Sequence, residues 1–295
     1  MSTDLPIDLR LSEEQRISRE GMRRFASQTM APGARAADEA AAADPGVLAG
    51  IAGFGLTLMS LPEALGGAGL PRSPMGNVLA CEDLGEGDLS QSLAALAPLG
   101  VVNALLDFGD EAQHEAWLPR FASEAPVPAA VALAEPRATF EPGDPHTRAR
   151  RDGDDYILDG EKCLIPLVEQ CQLFLVVAAT DDGPAAFIVE ADSPGLSRAR
   201  QDYMGLRSAE PGTLTLEGVR VPASQRLANF DLERKAFGEA IARRQSVAFM
   251  IADMGIEIEG MRLLTWRAAS RAEQGLPFQC EARRPGLQSM EKAMR

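Results

Sequence analysis

The stretch Asp152-Gly-Asp-Asp-Tyr-Ile-Leu-Asp-Gly-Glu-Lys162 decides how the chain reads. Two turn signals, Asp152-Gly153 and Asp159-Gly160, bracket the strand-like Tyr156-Ile-Leu158, a pattern of short extended segments closed by tight turns. The same punctuation recurs at Asp182-Gly183, Pro194-Gly195 and Glu217-Gly218. Between these turns lie Leu173-Phe-Leu-Val-Val177, Ala186-Phe-Ile-Val189 and Thr213-Leu-Thr-Leu216. The spacing predicts a small antiparallel sandwich or barrel over 126–222, entered where Pro126 and Pro128 end a helical pattern.

Outward from that layer, both flanks are helical by period. Ser12 and Gln15 form a candidate capping box, and Ile17, Met22 and Phe25 recur on one face up to Pro32. Further helical patterns cover about 46–54, 73–86, 90–106 and 110–124, interrupted by a loop at 61–70; the Ala-rich 36–44 reads as a helix or a loop edge. On the other flank Val247, Met250, Met254, Ile258, Met261, Leu264 and Ala268 recur at three or four positions until Gly275 and Pro277 stop them. A helix of about 28 residues there is about 40 Å long, which calls for a bundle or a subunit interface. The expected fold is α+β, with an N-terminal helical domain (1–125), a central β domain (126–222) and a shortened C-terminal helical bundle (223–295).

Composition narrows the partners. With 29 Lys and Arg against 43 Asp and Glu, the net charge is −14, and no basic run interleaves with aromatics, so nucleic acid and anionic membrane surfaces are poor partner candidates. Arg148, Arg150 and Arg151 still offer a local basic site for an anionic ligand. No apolar stretch of the roughly 18 residues needed to span a membrane is read, and the start lacks the features of a secretory signal. A cytoplasmic location is expected. Cys81, Cys163, Cys171 and Cys280 lack metal-ligand spacing, which leaves reduced thiols and no metal site.

Six patterns carry a family resemblance. They are Leu61-Pro-Glu-Ala-Leu-Gly-Gly-Ala-Gly-Leu70, Phe108-Gly-Asp-Glu-Ala-Gln-His-Glu-Ala-Trp-Leu-Pro119, Ala134-Glu-Pro136, Tyr156-Ile-Leu-Asp-Gly-Glu-Lys162, Met204-Gly-Leu-Arg-Ser208 leading to Val219-Arg-Val-Pro222, and Glu233-Arg-Lys-Ala-Phe-Gly238 with Gln245 beyond it. In this order the chain resembles the acyl-CoA dehydrogenase family. That resemblance implies FAD as cofactor, an acyl-CoA thioester as substrate, an oligomer of like or unlike chains, and electron-transfer flavoprotein as a redox partner. The implied reaction is α,β-dehydrogenation, in which a carboxylate takes the α proton while the β hydrogen leaves as hydride to the flavin.

By the same resemblance, Arg234, Phe237 and Gln245 fall where the family reaches FAD of a neighbouring subunit, Arg suiting a pyrophosphate through its planar fork. Ala134, Ile165 and Pro166 fall where the family's β domain holds the flavin, but Ala134 lacks the family's hydroxyl, and Leu164, Ile165 and Pro166 replace a Trp-Ile-Thr. Pro removes a hydroxyl and a backbone donor together. The segment 92–98 falls where the family lines its acyl pocket; plain helix packing explains the same small residues. Neither Glu position that serves as base in the family is found, since only 223–233 separates the β domain from Arg234 and no Tyr-Glu-Gly motif follows. Three readings stay open: an acyl-CoA dehydrogenase, a non-catalytic subunit or remnant of that family with weak or no FAD binding, or a flavin monooxygenase of the same superfamily, which dispenses with the Glu base. Glu135 is weighed as a substitute base and reads better as a brace of its own turn. His114 and His146 read as surface residues.

Overall fold

The computed structural model describes residues 11–123, 126–137 and 143–227, with short paired segments at 235–236 and 239–240. Helices come first: α1 (Glu13–Phe25), α2 (Ala31–Ala40), α3 (Pro45–Ala52), α4 (Leu56–Ser60), α5 (Pro74–Gly85), α6 (Leu89–Phe108) and α7 (Glu111–Trp117). The expected capping box is present: Ser12 Oγ accepts from Gln15 N, and Gln15 Oε1 accepts from Ser12 N. Pro32 does not end the helical path as expected. A π turn at Ala26–Met30 takes up one extra residue, and α2 then places its Pro in the first turn, where a missing N–H costs nothing.

Burial organises these helices. Met22, Ala26, Met30, Val47, Ile51, Leu84 and Leu99 pack one core between α1, α3, α5 and α6. The buried Asp83 of α5 is held by Arg19 Nε at 2.9 Å and Arg23 Nε at 2.7 Å from α1, so its charge is matched twice. In the loop at 61–70, Gly67 packs so tightly that a Cβ there would lie 2.1 Å from the Leu61 carbonyl oxygen, and Gly66 has φ +85°. The motif needs glycine at both positions for these reasons.

α6 corrects one expectation. It has 20 residues and is apolar enough, by length and composition, to cross a membrane. Here it is a core helix: α3, α5 and β1 pack on it, and Val101, Val102 and Leu105 are essentially inaccessible.

The β layer comprises β1 (Ala129–Ala132), β2 (Arg148–Asp152), β3 (Asp155–Ile165), β4 (Leu173–Thr180), β5 (Gly183–Glu190), β6 (Leu196–Arg200) and β7 (Gly212–Pro222), in the order β1-β4-β2-β3-β7-β6 with β5 also on β4. Asp152-Gly153 makes the β2–β3 hairpin turn, as the sequence predicts. The sheet is mixed, not purely antiparallel: β1 runs parallel to β4, and β2 meets it in parallel at Arg148↔Ala179. The strands β1, β2 and β6 escape the sequence pattern because they are short, Ala- or Arg-rich and weak in β-branched residues. One sheet face closes on Phe174, Val176, Phe187, Leu214 and Val219, the other on the helical layer through Leu173, Leu175, Val177 and Ile188.

Gln113 joins the layers. Its amide donates to Ser224 O at 2.8 Å and Arg226 O at 2.7 Å while its oxygen caps α7. β8 (Lys235–Ala236) and β9 (Glu239–Ala240) form a separate two-stranded pair. The predicted long helix lies outside the described residues.

Candidate functional site

An apolar cleft of about 770 Å3 opens where the two layers meet, within the roughly 300–1,000 Å3 typical of small-molecule sites. α5 gives it Asn77 and Cys81, α6 gives Leu93, Leu96, Ala97, Leu99, Gly100 and Asn103, and β1 gives Ala130 and Val131. Leu164 and Pro166 come from the end of β3, and Tyr203, Met204 and Leu206 from the segment before β7. Among the described residues, no charged side chain lines it. Amide and hydroxyl groups are contributed by Asn77, Asn103 and Tyr203, and the Asn103 oxygen is already occupied by Arg72 Nη2 at 3.0 Å. Such a wall suits an uncharged, largely aliphatic ligand.

Backbone strain gathers at the rim. Leu164 (φ +58°), Leu167 (φ +47°), Leu206 (φ +57°) and Glu210 (φ +48°) all adopt left-handed conformations, each costing roughly 1–2 kcal/mol without a glycine. The surroundings hold them there: Leu167 N donates to Ala209 O at 2.9 Å, and the Glu210 carboxylate accepts from Ala43 N and lies 3.5 Å from Arg200 Nη1. Strain of this kind concentrates at ligand-binding turns.

Behind the cleft lies a buried polar network. Lys162 Nζ donates to Leu133 O at 3.1 Å and to Glu135 Oε1 at 2.8 Å. Glu135 also accepts from Thr147 N, Thr147 Oγ1 and His146 N, each at 2.8 Å. Burial alone would raise the Glu135 pKa, but these donors, Lys162 first, outweigh it and hold the carboxyl at about 2. A carboxylate this well satisfied makes a poor base, which agrees with its reading as a brace. Burial lowers the Lys162 pKa, the pull of Glu135 acting against it.

The sequence candidates fall in different places. Pro166 lines the cleft, with Leu164 beside it. Ile165 is buried in the β core and pairs with Gly212, and Ala134 is half-buried with its carbonyl accepting from Cys163 N at 2.9 Å. Arg234, Phe237 and Gln245 lie outside the described residues. Tyr203 carries no sequence signal for a site, and Met204 opens one of the six family patterns without a site role attached to it; the fold brings both to the cleft beside α6. His114 turns its ring to the Leu105 carbonyl at 2.8 Å and braces the end of α6, so it is not a simple surface residue; His146 is exposed as expected. Burial raises the Cys163 thiol pKa and pushes that of Cys171 up to about 12, leaving both as unreactive thiols. Among the described residues, no cluster of His, Cys, Asp and Glu is arranged to hold a metal.

The comparisons bear on all three parts of the chain. The family descriptions "Acyl-CoA dehydrogenase, N-terminal domain", "middle domain" and "C-terminal domain" match residues 12–125, 130–219 and 223–294. The chain belongs to the acyl-CoA dehydrogenase family. A probable acyl-CoA dehydrogenase, YngJ of Bacillus subtilis, is 30% identical over 334 aligned positions that cover 98% of this chain and 87% of that protein. The human mitochondrial short-chain specific acyl-CoA dehydrogenase is 29% identical, covering 96% of this chain and 78% of its own length. The solved butyryl-CoA dehydrogenase of Megasphaera elsdenii superposes with a TM-score of 0.68 at 25% identity, covering 94% of this chain and 84% of that one. This chain is shorter than these relatives, and an alignment longer than its 295 residues places gaps on its side.

Membership implies FAD, so the wall can be tested against a flavin ring. At the positions where the sequence resemblance puts flavin contacts, the side chains are a methyl (Ala134), an isobutyl (Leu164) and a ring without N–H or hydroxyl (Pro166), and among the described residues no cation lines the cleft. Ser208 Oγ is buried without a hydrogen-bond partner among the described residues, but Ser208 is not on the wall. The described residues do not fit a flavin gripped through side-chain hydrogen bonds.

Proposed function

We propose that this chain acts on acyl-CoA thioesters as an acyl-CoA dehydrogenase-type protein, the acyl chain lying in the cleft between α6, β1 and the end of β3. The uncharged wall carries this reading: it offers apolar surface to an aliphatic chain and no charged side chain among the described residues for the polar CoA part. α,β-Dehydrogenation is the activity that goes with such a ligand. It requires a carboxylate base and a held flavin, and neither is supplied by the described wall; 228–295 or a partner chain provides them. Arg234, Phe237 and Gln245 are the FAD contacts in this reading, and Ala134, Ile165 and Pro166 mark the other side of that site. A division at 126 and 223, self-association or association with an unlike chain, a cytoplasmic location and electron-transfer flavoprotein as acceptor belong to the same proposal.

One observation favours a second reading, a family subunit that binds thioester without turnover. Ala134, Leu164 and Pro166 remove hydrogen bonds worth about 1 kcal/mol each and an aromatic contact of about the same size. The absorption spectrum of purified protein separates the two. A flavin band bleached by added acyl-CoA supports the dehydrogenase. A colourless protein that stays colourless with added FAD, yet binds acyl-CoA in a calorimeter, supports the subunit. Failure to bind any acyl-CoA overturns both.

A further inference from the structure

One of the amides on the cleft wall is fixed in orientation. Asn103 Oδ1 of α6 accepts from Arg72 Nη2 at 3.0 Å, and the same guanidinium holds Asp107, one turn further along α6, through Nη1 at 2.7 Å. A guanidinium only donates. The Asn103 amide therefore turns its oxygen to Arg72, and what it has left to offer the cleft is its NH2 group. Among the described residues, no acceptor takes that group.

Asn77 of α5 brings a second side-chain amide to the same wall, and it too has no hydrogen-bond partner among the described residues. A plain alkyl chain filling the cleft would cover these amides and offer them nothing, and a polar group covered without a partner is costly. No charged side chain of the described wall balances an ionised substituent either. An uncharged oxygen meets both conditions: it accepts from the amide and needs no counter-charge.

We propose that Asn103 is a specificity-determining hydrogen-bond donor to a neutral carbonyl or hydroxyl oxygen of the ligand, with Arg72 as the positioning residue that keeps its NH2 group available. The substrate class this favours is an acyl thioester carrying an oxygen substituent on its chain; the thioester carbonyl presents the same chemistry to the same donor. This rests on the acyl-thioester reading of the cleft.

Calorimetric titration of the purified full-length chain tests it with octanoyl-CoA, the monohydroxy isomers of octanoyl-CoA, and S-octyl-CoA, the thioether that lacks the carbonyl. If the oxygen is a chain substituent, at least one hydroxy isomer binds about fivefold more tightly than octanoyl-CoA, the effect of one neutral hydrogen bond. Asn103→Leu then abolishes that ratio. If the oxygen is the thioester carbonyl, octanoyl-CoA exceeds S-octyl-CoA by about the same factor, and Asn103→Leu abolishes that ratio instead. Asn103→Asp keeps the shape and the bond to Arg72 but loses the donor, so it provides a second route if the Leu variant misfolds. Arg72→Met should shrink whichever ratio the parent shows, because an unpinned amide turns freely; a merely structural role would weaken all probes alike. Ratios of one or less in the parent, or ratios that survive both Asn103 variants, overturn the proposal and leave acyl-thioester binding standing. No binding of any probe overturns the acyl-thioester reading itself.

Discussion

Lys162 Nζ lies 2.8 Å from Glu135 Oε1 with none of the Lys162 side chain exposed, which ties β3 to the turn at 133–137 just before Leu164 and Pro166 reach the cleft. Removing Lys162 leaves the buried Glu135 carboxylate only the longer ion pair to Arg137 Nε, at 3.5 Å. Lys162→Met is therefore expected to destabilise the chain by about 3–5 kcal/mol. Replacing both, in Lys162→Met/Glu135→Leu, should recover part of that loss. Chemical denaturation of the single and double variants measures it, and equal loss in both would contradict the account.

The same carboxylate gives a pH dependence with a definite sign. Glu135 titrates at about 2 in the folded chain against an ordinary 4.5. Its stabilisation is thus fully present above about pH 4.5 and is lost as the pH falls toward 2, a swing of about 3 kcal/mol from this group. Urea unfolding across that range should show the loss, and Glu135→Gln should flatten it. A Gln variant with the same acid sensitivity as the parent would show that other groups govern it.

Much of this was legible in the residues, for identifiable reasons. Ser12 and Gln15 announced α1, and Asp152-Gly153 announced the β2–β3 hairpin, because caps and tight turns are local devices. Glu135 could be read as a brace from its motif, but not that Lys162 and Thr147 complete it, since those contacts span 27 and 12 residues. The cleft was harder still. Its wall joins Ala97, Val131, Pro166 and Met204, residues with no chemistry of their own, whose meaning comes only from sharing a surface.

The loop of α4 and α5 offers a steric test. A Cβ on Gly67 would meet Leu61 backbone atoms at 2.1 and 2.4 Å, and backbone cannot swing aside as a side-chain end can. Gly67→Ala should cost about 1–3 kcal/mol, as overpacking does elsewhere. Thermal unfolding checks it; a melting temperature equal to the parent's would mean that the loop relaxes freely.

Polar side chains at 134 and 166, where the family resemblance puts flavin contacts, provide a test of the proposed cofactor site. Thr at 134 returns a hydroxyl, and Thr at 166 returns both a hydroxyl and a backbone N–H that Pro166 cannot supply. At about 1 kcal/mol for each of the three hydrogen bonds, Ala134→Thr/Pro166→Thr should bind FAD roughly a hundredfold more tightly than the parent. Flavin absorbance retained after desalting is the readout, with Pro166→Ala as the control that restores the N–H alone. If the double variant retains no more flavin than the parent, then Ala134 and Pro166 are not what limits the cofactor, and the limit lies with 228–295 or with a partner chain.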